Sequence, residues 1–344
     1  MKKISVIIPS YNSSKTIHSC IYSVINTGFS PMEIIVVDDA STDNSADIVK
    51  ELCNKYNDFL RIIEIKKNGG PARARNKGAR LATGDYYFFI DSDTTMLKNT
   101  LTNFIKRISD CDSVSGIYHW KPINNSFVAW YKALLNHSLF IRDGVFEYDV
   151  FNSAVAGIGA NVFDKSGGFC EDLLWGMDYE NEEFGYRLFK DHRMIFDPCV
   201  CVQHKFPGFI PMTKNYFHRV SLWMELFMIR RKFESGGIAT GNMGIATLGA
   251  PLSIISLPLL LLTPKAFLVP VTFIFFYLYG YRQFFTIVVK KKPFFLPVSI
   301  ILGLYFSSVI ALGAFLGVIR VSTGMSRVKK IFRGKDKKRM AEKD

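Results

Sequence analysis

The chain has 344 residues, with 43 Lys and Arg against 30 Asp and Glu and a formal charge of +13. A single core usually serves roughly 100 to 200 residues, so this length holds one large domain or a domain with an appendage. The charge does not point to nucleic acid: from Arg320 onward ten Lys or Arg face three Asp or Glu, a surplus of seven in a short tail behind the last apolar segment, where anionic lipid attracts it.

The first apolar run, Ile4 to Ile8, ends in Pro9, Ser10, Tyr11 and Asn12, and a helical pattern follows over about Lys15 to Asn26. That apolar run is too short for a secretory signal. A second run, Ile34 to Val37, ends in Asp38 and Asp39 and is followed by a helix over Ser45 to Tyr56. The third, Leu60 to Ile65, leads through Gly69, Gly70 and Pro71 into a basic helix reaching about Leu81. The fourth, Tyr86 to Ile90, ends in Asp91 and Asp93. Short buried strands alternating with helices predict βαβ units and a mostly parallel sheet, whose ligand sits beyond the carboxyl ends of the strands. Three of these strands deliver polar residues at that end.

Further along, the patterning predicts a helix over Asn99 to Ser109, a strand near Asp112 to Trp120, and an aromatic helix over Phe127 to Phe140. The glycine-rich stretch 157–169 reads as a turn-laden loop or short strand, Asp178 to His192 as a helix, and Met194 to His204 as a final strand. The soluble domain is placed at residues 1–212. Residues 213–235 read as a basic amphipathic helix in the membrane interface plane, or packed on the soluble domain. From Gly244 to Ile319 the composition is that of a membrane, with two or three spans over 244–320 and a basic cytoplasmic tail over 321–344. The middle apolar segment, Ala266 to Tyr281, is short for a crossing. Six cysteines without CxxC spacing read as reduced core thiols of a cytosolic domain.

Side chains alternate along a strand, so Asp91 and Asp93 point to one side and can chelate a hard divalent cation such as Mg²⁺ or Mn²⁺, which neutralises a diphosphate. The plain alternative is an Asp-Ser-Asp turn whose acids accept backbone hydrogen bonds. Asp38 or Asp39 can accept from a nucleobase imide or ribose hydroxyl, although either can also cap the next helix. Gly70 allows close backbone approach, and Arg75 beyond it can meet phosphate.

Four motifs together, VIIPSYN at 6–12, EIIVVDDASTDNS at 33–45, GGPARARNKG at 69–78 and GDYYFFIDSD at 84–93, resemble in order and spacing the nucleotide-binding half of family 2 glycosyltransferases with the GT-A fold. The resemblance implies a nucleotide-diphosphate sugar donor, with Pro9, Tyr11 and Asp38 or Asp39 at the nucleoside and Asp91 and Asp93 at the metal and diphosphate. The second half is similar less tightly: GIGANVFDKSGGF resembles the acceptor-side glycine-rich stretch, and ENEEFGYRL at 180–188 resembles the acidic helix that carries the family's base. The family's Asp there aligns with Asn181, which cannot take a proton. Either Asp178, Glu180 or Glu183 serves as base, or the nucleophile is a lipid phosphate that needs none. Glu183 is also spaced to pair with Arg187. His204 closes the last strand, where some relatives supply a third metal ligand or a diphosphate contact. The expectation is an inverting, metal-dependent transferase on the cytoplasmic face of the cell membrane, acting on a lipid or lipid-linked saccharide. A catalytically silent nucleotide-sugar-binding scaffold is the rival from another class.

Overall fold

The computed structural model describes residues 2–141, 144–172, 180–231 and 240–326. In chain order the first elements are β1 (Ile4–Ser10), α1 (Ile17–Ile25), β2 (Met32–Asp38), α2 (Ser45–Lys55), β3 (Leu60–Glu64), α3 (Pro71–Leu81), β4 (Tyr86–Ile90), β5 (Thr94–Met96) and α4 (Thr100–Ile108). Then come β6 (Ser113–Tyr118), α5 (Phe127–Phe140), β7 (Phe146–Glu147), β8 (Val155–Gly159), α6 (Ala160–Lys165), α7 (Glu180–Leu188) and β9 (Met194–His204). The C-terminal helices are α8 (Phe209–Arg230), α9 (Gly241–Ile255), α10 (Leu268–Gly280), α11 (Arg282–Lys291) and α12 (Leu296–Ser322). Two compact units result: Met1–Asn125 with Phe140–Phe206, and Ser126–Leu139 with Pro207–Asp344. The boundary drawn from composition at residue 212 therefore differs in one respect, since α5 groups with the C-terminal helices.

In the first unit the strands form one sheet in the order β3-β2-β1-β4-β8-β6-β9-β5, with β7 on β9. The strands β3, β2, β1 and β4 are parallel, as the βαβ pattern requires, and beyond β4 the sheet becomes mixed because β8 runs antiparallel to both β4 and β6. The order reverses at β1, which has β2 on one side and β4 on the other; such a switch opens a crevice at the carboxyl ends. Alternation builds the two faces. Ile4, Val6, Ile8, Phe88 and Ile90 join one core with Phe104 and α1, while Ile7, Tyr87 and Phe89 join another with Phe151, Phe163, Phe169 and Phe184. Each fully buried side chain of this size contributes about 1.5–3 kcal/mol.

Two local expectations change. Residues 157–159 end the strand β8, as the short-strand alternative expected, residues 160–165 form the helix α6, and the glycine-rich loop is confined to 166–169. The sequence also hides β5, three residues that pair with β9 directly after Asp93.

In the second unit α8 runs parallel to α12 over its length. Phe209 stacks on Tyr305 at 4.9 Å, Phe217 lies against Gly313, Ser221 against Gly317, and Glu225 faces Arg320 at 3.5 Å. Gly313 and Gly317 form a small-xxx-small pair whose missing side chains let the α8 backbone close in. The helix expected at 213–235 to lie in the interface plane thus starts earlier, and α12 covers one of its faces; residues 232–235 lie outside the described set. Two helical stretches, Gly241–Leu261 and Pro293–Ser322, are long and apolar enough to cross a membrane, and Pro264–Gly280 is shorter.

Candidate active site

The crevice at the switch point is lined by the ends of β1, β2 and β4. Pro9 is buried in β1, past the last β1–β4 pair of Ile7 with Phe89, where a residue without an N–H does least harm to the ladder. Tyr11 follows and is 42% exposed, at the rim. Asn12 and Ala40 both adopt left-handed backbone, with φ of 49° and 61°. That conformation costs Ala40 about 1–3 kcal/mol and is held by its neighbours. Asn12 Oδ1 accepts from the Thr42 N–H at 2.8 Å, and the Asn12 N–H donates to Ser41 Oγ at 2.9 Å.

Both acids at the end of β2 are buried and engaged by the chain. Asp38 accepts from the Ser41 N–H at 3.0 Å and from the Ser41 hydroxyl at 2.5 Å, closing its own turn. Asp39 accepts from the Gly69 N–H at 3.0 Å and from the Gly70 N–H at 2.7 Å. Gly70 has φ 86° and ψ 169°, a conformation open to glycine, and the fold uses it to aim its N–H at Asp39. Gly70 was expected to approach a phosphate. Its N–H is instead spent on tying the β2 end to the start of α3.

Asp91 and Asp93 occupy the turn from β4 to β5. The backbone carbonyl of Asp91 closes that turn, accepting from the Thr94 N–H at 3.1 Å and its hydroxyl at 2.8 Å. The carboxylates are thus left for other work. Asp91 Oδ1 accepts from Arg75 Nη2 at 2.8 Å, and Asp93 Oδ1 faces His204 Nε2 at 3.5 Å. Pairing of Thr94 with His204 puts the imidazole there. One ligand atom each from Asp91, Asp93 and His204 lie within 4.8 Å of one another. Burial raises the Asp93 carboxyl above the usual carboxylate range, His204 opposes the rise, and Asp91 adds to it. Two carboxylate oxygens and an imidazole nitrogen are a donor set that suits Mg²⁺ or, with the nitrogen, Mn²⁺. Among the described residues His204 Nδ1 is buried without a hydrogen-bond partner, and the ring stacks on Phe206 at 4.6 Å and meets Tyr118 edge-on at 4.8 Å, so Nε2 is the nitrogen offered to the cluster.

Arg75 was expected at the phosphates, and the structure gives it different partners. It is 4% exposed, donating through Nη2 to Asp91 and through Nη1 to Glu180 Oε1 at 3.2 Å. Burial works against its charge, yet Asp91 and Glu180 together raise its pKa above the ordinary value. One guanidinium therefore joins the aspartate turn to the first residue of α7. Glu183, a turn later, is held by Arg187, whose Nε and Nη2 donate to its two oxygens at 3.1 Å each. Arg187 also donates to the carbonyls of Ser166 and Gly168, so this pair anchors α7 to the glycine-rich loop. Asn181 Oδ1 is buried without a hydrogen-bond partner among the described residues. Asp178 lies outside the described residues.

Two contributors escaped the sequence reading. Asn76 stitches α3 to the loop, donating to the Phe169 carbonyl at 2.8 Å and accepting from its N–H at 2.9 Å. Cys20 Sγ packs under Asp91 at 3.5 Å from its carbonyl oxygen, and burial followed by Asp93 and Asp91 pushes the thiol well above its usual range. Asn76 sits between Arg75 and Lys77 in the basic helix stretch ARARNKGAR and carries no sequence signal of its own, and Cys20 carries none beyond its apolar neighbours.

Residues 5–160 match the model of Glycosyl transferase family 2. Among similar proteins, glycosyltransferase GlyG of Streptococcus pneumoniae serotype 4 is 34% identical over 118 residues, 34% of this chain and 39% of that protein. The poly(ribitol-phosphate) beta-N-acetylglucosaminyltransferase TarS of Staphylococcus aureus is 36% identical over 127 residues, 36% of this chain and 22% of that one. The matched stretches thus span well under half of these relatives. Among solved structures, the mannosyltransferase PcManGT of Pyrobaculum calidifontis, in complex with GDP-Man and Mn²⁺, aligns over 93% of this chain and 86% of its own with a TM-score of 0.56 at 18% identity. A crystal structure of S. aureus TarS aligns over 90% of this chain and 55% of its own with a TM-score of 0.50, also at 18% identity. The first unit has the GT-A fold, and its residues 5–160 match a glycosyl transferase family 2 domain.

Proposed function

We propose that the protein transfers a sugar from a nucleotide-diphosphate sugar to a lipid or lipid-linked saccharide at the cytoplasmic face of the cell membrane. The observation that carries this reading is the Asp91, Asp93 and His204 cluster, standing in a family 2 domain at the switch point of its sheet. A divalent cation held by these three residues would supply neutralisation of the leaving diphosphate. Tyr11 stands at the rim for a nucleoside face, and the braced ends of β1 and β2 shape the floor beneath it. The donor class is supported by PcManGT, whose structure contains GDP-Man and Mn²⁺.

Of the described acidic candidates for base, Glu180 fits best, because Arg75 alone separates it from Asp91, whereas both oxygens of Glu183 are taken by Arg187. In the transfer an acceptor hydroxyl attacks the anomeric carbon in line, the bond to the diphosphate breaks with its electron pair, and the hydroxyl proton passes to Glu180 Oε2. A second reading is favoured by Asn181 at the position of the family's base: an acceptor phosphate oxygen, already ionised, attacks without proton transfer.

Membrane attachment is supported by Gly241–Leu261 and Pro293–Ser322, each only 28% buried over its most apolar window, unlike the core helices of a soluble protein. Two crossings put the basic tail on the side of the catalytic domain, as the positive-inside tendency favours. The test is a panel of labelled nucleotide sugars with membranes carrying the protein, with and without chelator. Chelator-sensitive label in the lipid extract is the expected result; label that stays with the nucleotide sugar under every donor overturns the reading.

A further inference from the structure

One part of the helical unit turns an aromatic ring fully outward. The helix α11 and the turn after it, Pro293–Phe295, are fixed to α5 by three contacts: Phe284 meets the Tyr131 ring edge-on at 5.3 Å, Phe295 stacks on Phe127 at 6.3 Å, and Lys292 Nζ sits 4.0 Å over the Trp130 ring. Phe284, Val288 and Phe295 are thereby buried. Phe294, beside Phe295, points the other way and is 98% exposed, and Phe127 stays 68% exposed. Lys290 and Lys291 at the end of α11 are exposed as well. A single exposed apolar residue needs no explanation, since folded surfaces carry many. Here the order along the chain is a second observation: three lysines stand directly before the apolar stretch Pro293–Ser322, long enough to cross a bilayer, and the outward ring is the second residue of that stretch.

We propose that Phe294, Phe127 and Lys290 to Lys292 form a membrane-surface anchor selective for anionic phospholipid. The phenyl rings enter the boundary between headgroups and acyl chains, while the ammonium groups reach lipid phosphates on stems that keep the charge in water. Trp130 under Lys292 takes the headgroup level, where indoles concentrate. A bilayer is favoured over a protein groove by charge and by continuity. The lysines complement phosphate, and the chain runs directly into α12, whose Ile301, Tyr305, Leu312 and Phe315 are also exposed. The anchor rests on the membrane reading of Pro293–Ser322, and adds to it a lipid preference and a fixed depth for the start of α12.

The test uses the full chain in nanodiscs of phosphatidylcholine with a minority of phosphatidylglycerol. The photoreactive residue p-benzoylphenylalanine replaces Phe294 or, separately, Phe315 in the middle of α12, and lipid adducts are read by mass spectrometry after irradiation. Position 294 is expected to give lipid adducts whose ratio of anionic to neutral lipid is about fivefold above that of the bilayer, the scale of one lysine at a lipid surface. Position 315 is expected to give adducts at the bilayer ratio. Replacing Lys290, Lys291 and Lys292 together by Gln should return the ratio at position 294 to that of the bilayer. No lipid adduct at position 294, or an adduct there to a second copy of the chain, overturns the anchor. A ratio at position 294 equal to the bilayer's, or one unmoved by the lysine substitutions, overturns the lipid preference. Position 315 reports the membrane reading separately: adducts at 294 without adducts at 315 remove the span and keep the anchor.

Discussion

The two units of this chain treat buried charge in opposite ways. In the α/β unit Arg75 meets Asp91 and Glu180, and Arg187 meets Glu183, so charges that are removed from water are matched at hydrogen-bond distance. In the helical unit Lys132 faces Arg219 and an aromatic ring. A matched pair fixes geometry, whereas an unmatched cation is a standing cost that persists only where a ligand or solvent offsets it. The contrast separates charges that are matched from an amine whose charge burial disfavours.

The largest effect is expected where a matched set is broken. Arg75→Met leaves Asp91 and Glu180 facing each other without a counter-charge, and should destabilise the α/β unit by about 3–5 kcal/mol in denaturant unfolding. Asp93→Ala removes a cluster ligand without opening the core. It should cost at least about a hundredfold in release of nucleoside diphosphate, with an unchanged unfolding midpoint.

Glu180→Gln sharpens the comparison within α7. It should lower turnover by about a hundredfold if the acceptor loses a proton to it, whereas Glu183→Gln should act on stability; full turnover by Glu180→Gln would favour an acceptor phosphate. Gly70→Ala puts a side chain where φ is 86° and should cost about 1–3 kcal/mol, loosening the Asp39 clamp.

A pH effect belongs to the helical unit. Burial and then Arg219 hold the Lys132 amine down to about 7, below the usual lysine range. The unfolded chain then binds the extra proton between about pH 7 and about pH 10, so stability should rise with pH across that window. Acylation of Lys132 should show its inflection near the lower end, with Arg219, Tyr131 and Tyr216 as the titratable neighbours.

Much of the catalytic half was legible because its signals are local. The runs ending at Pro9, Asp38 and Asp91 report strand ends directly, and Asp91, Asp93 and His204 needed only the strand assignments to converge. The role of Arg75 was not legible: its partners lie 16 and 105 residues away, and only the fold brings them to one guanidinium. The bond between Asp39 and Gly70 was not legible for a related reason, since only the fold places one beside the other. Over 157–169 the abundance of glycine left loop and short strand open and hid the helix α6; Gly157 is a strand residue whose missing side chain makes room for Phe104. The run of α8 along α12 depends on Gly313 and Gly317, about a hundred residues from the backbone they admit.

The central claim is that Asp91, Asp93 and His204 join a divalent cation and a nucleotide diphosphate in one site. Calorimetric titration of UDP and GDP into the full chain, with Mn²⁺ and with chelator, tests it most directly. The account predicts that one nucleotide binds with Mn²⁺, that chelator weakens it, and that Asp93→Asn and His204→Ala each reduce the metal-dependent part. Equal binding in chelator, or metal-dependent binding untouched by both substitutions, would contradict it.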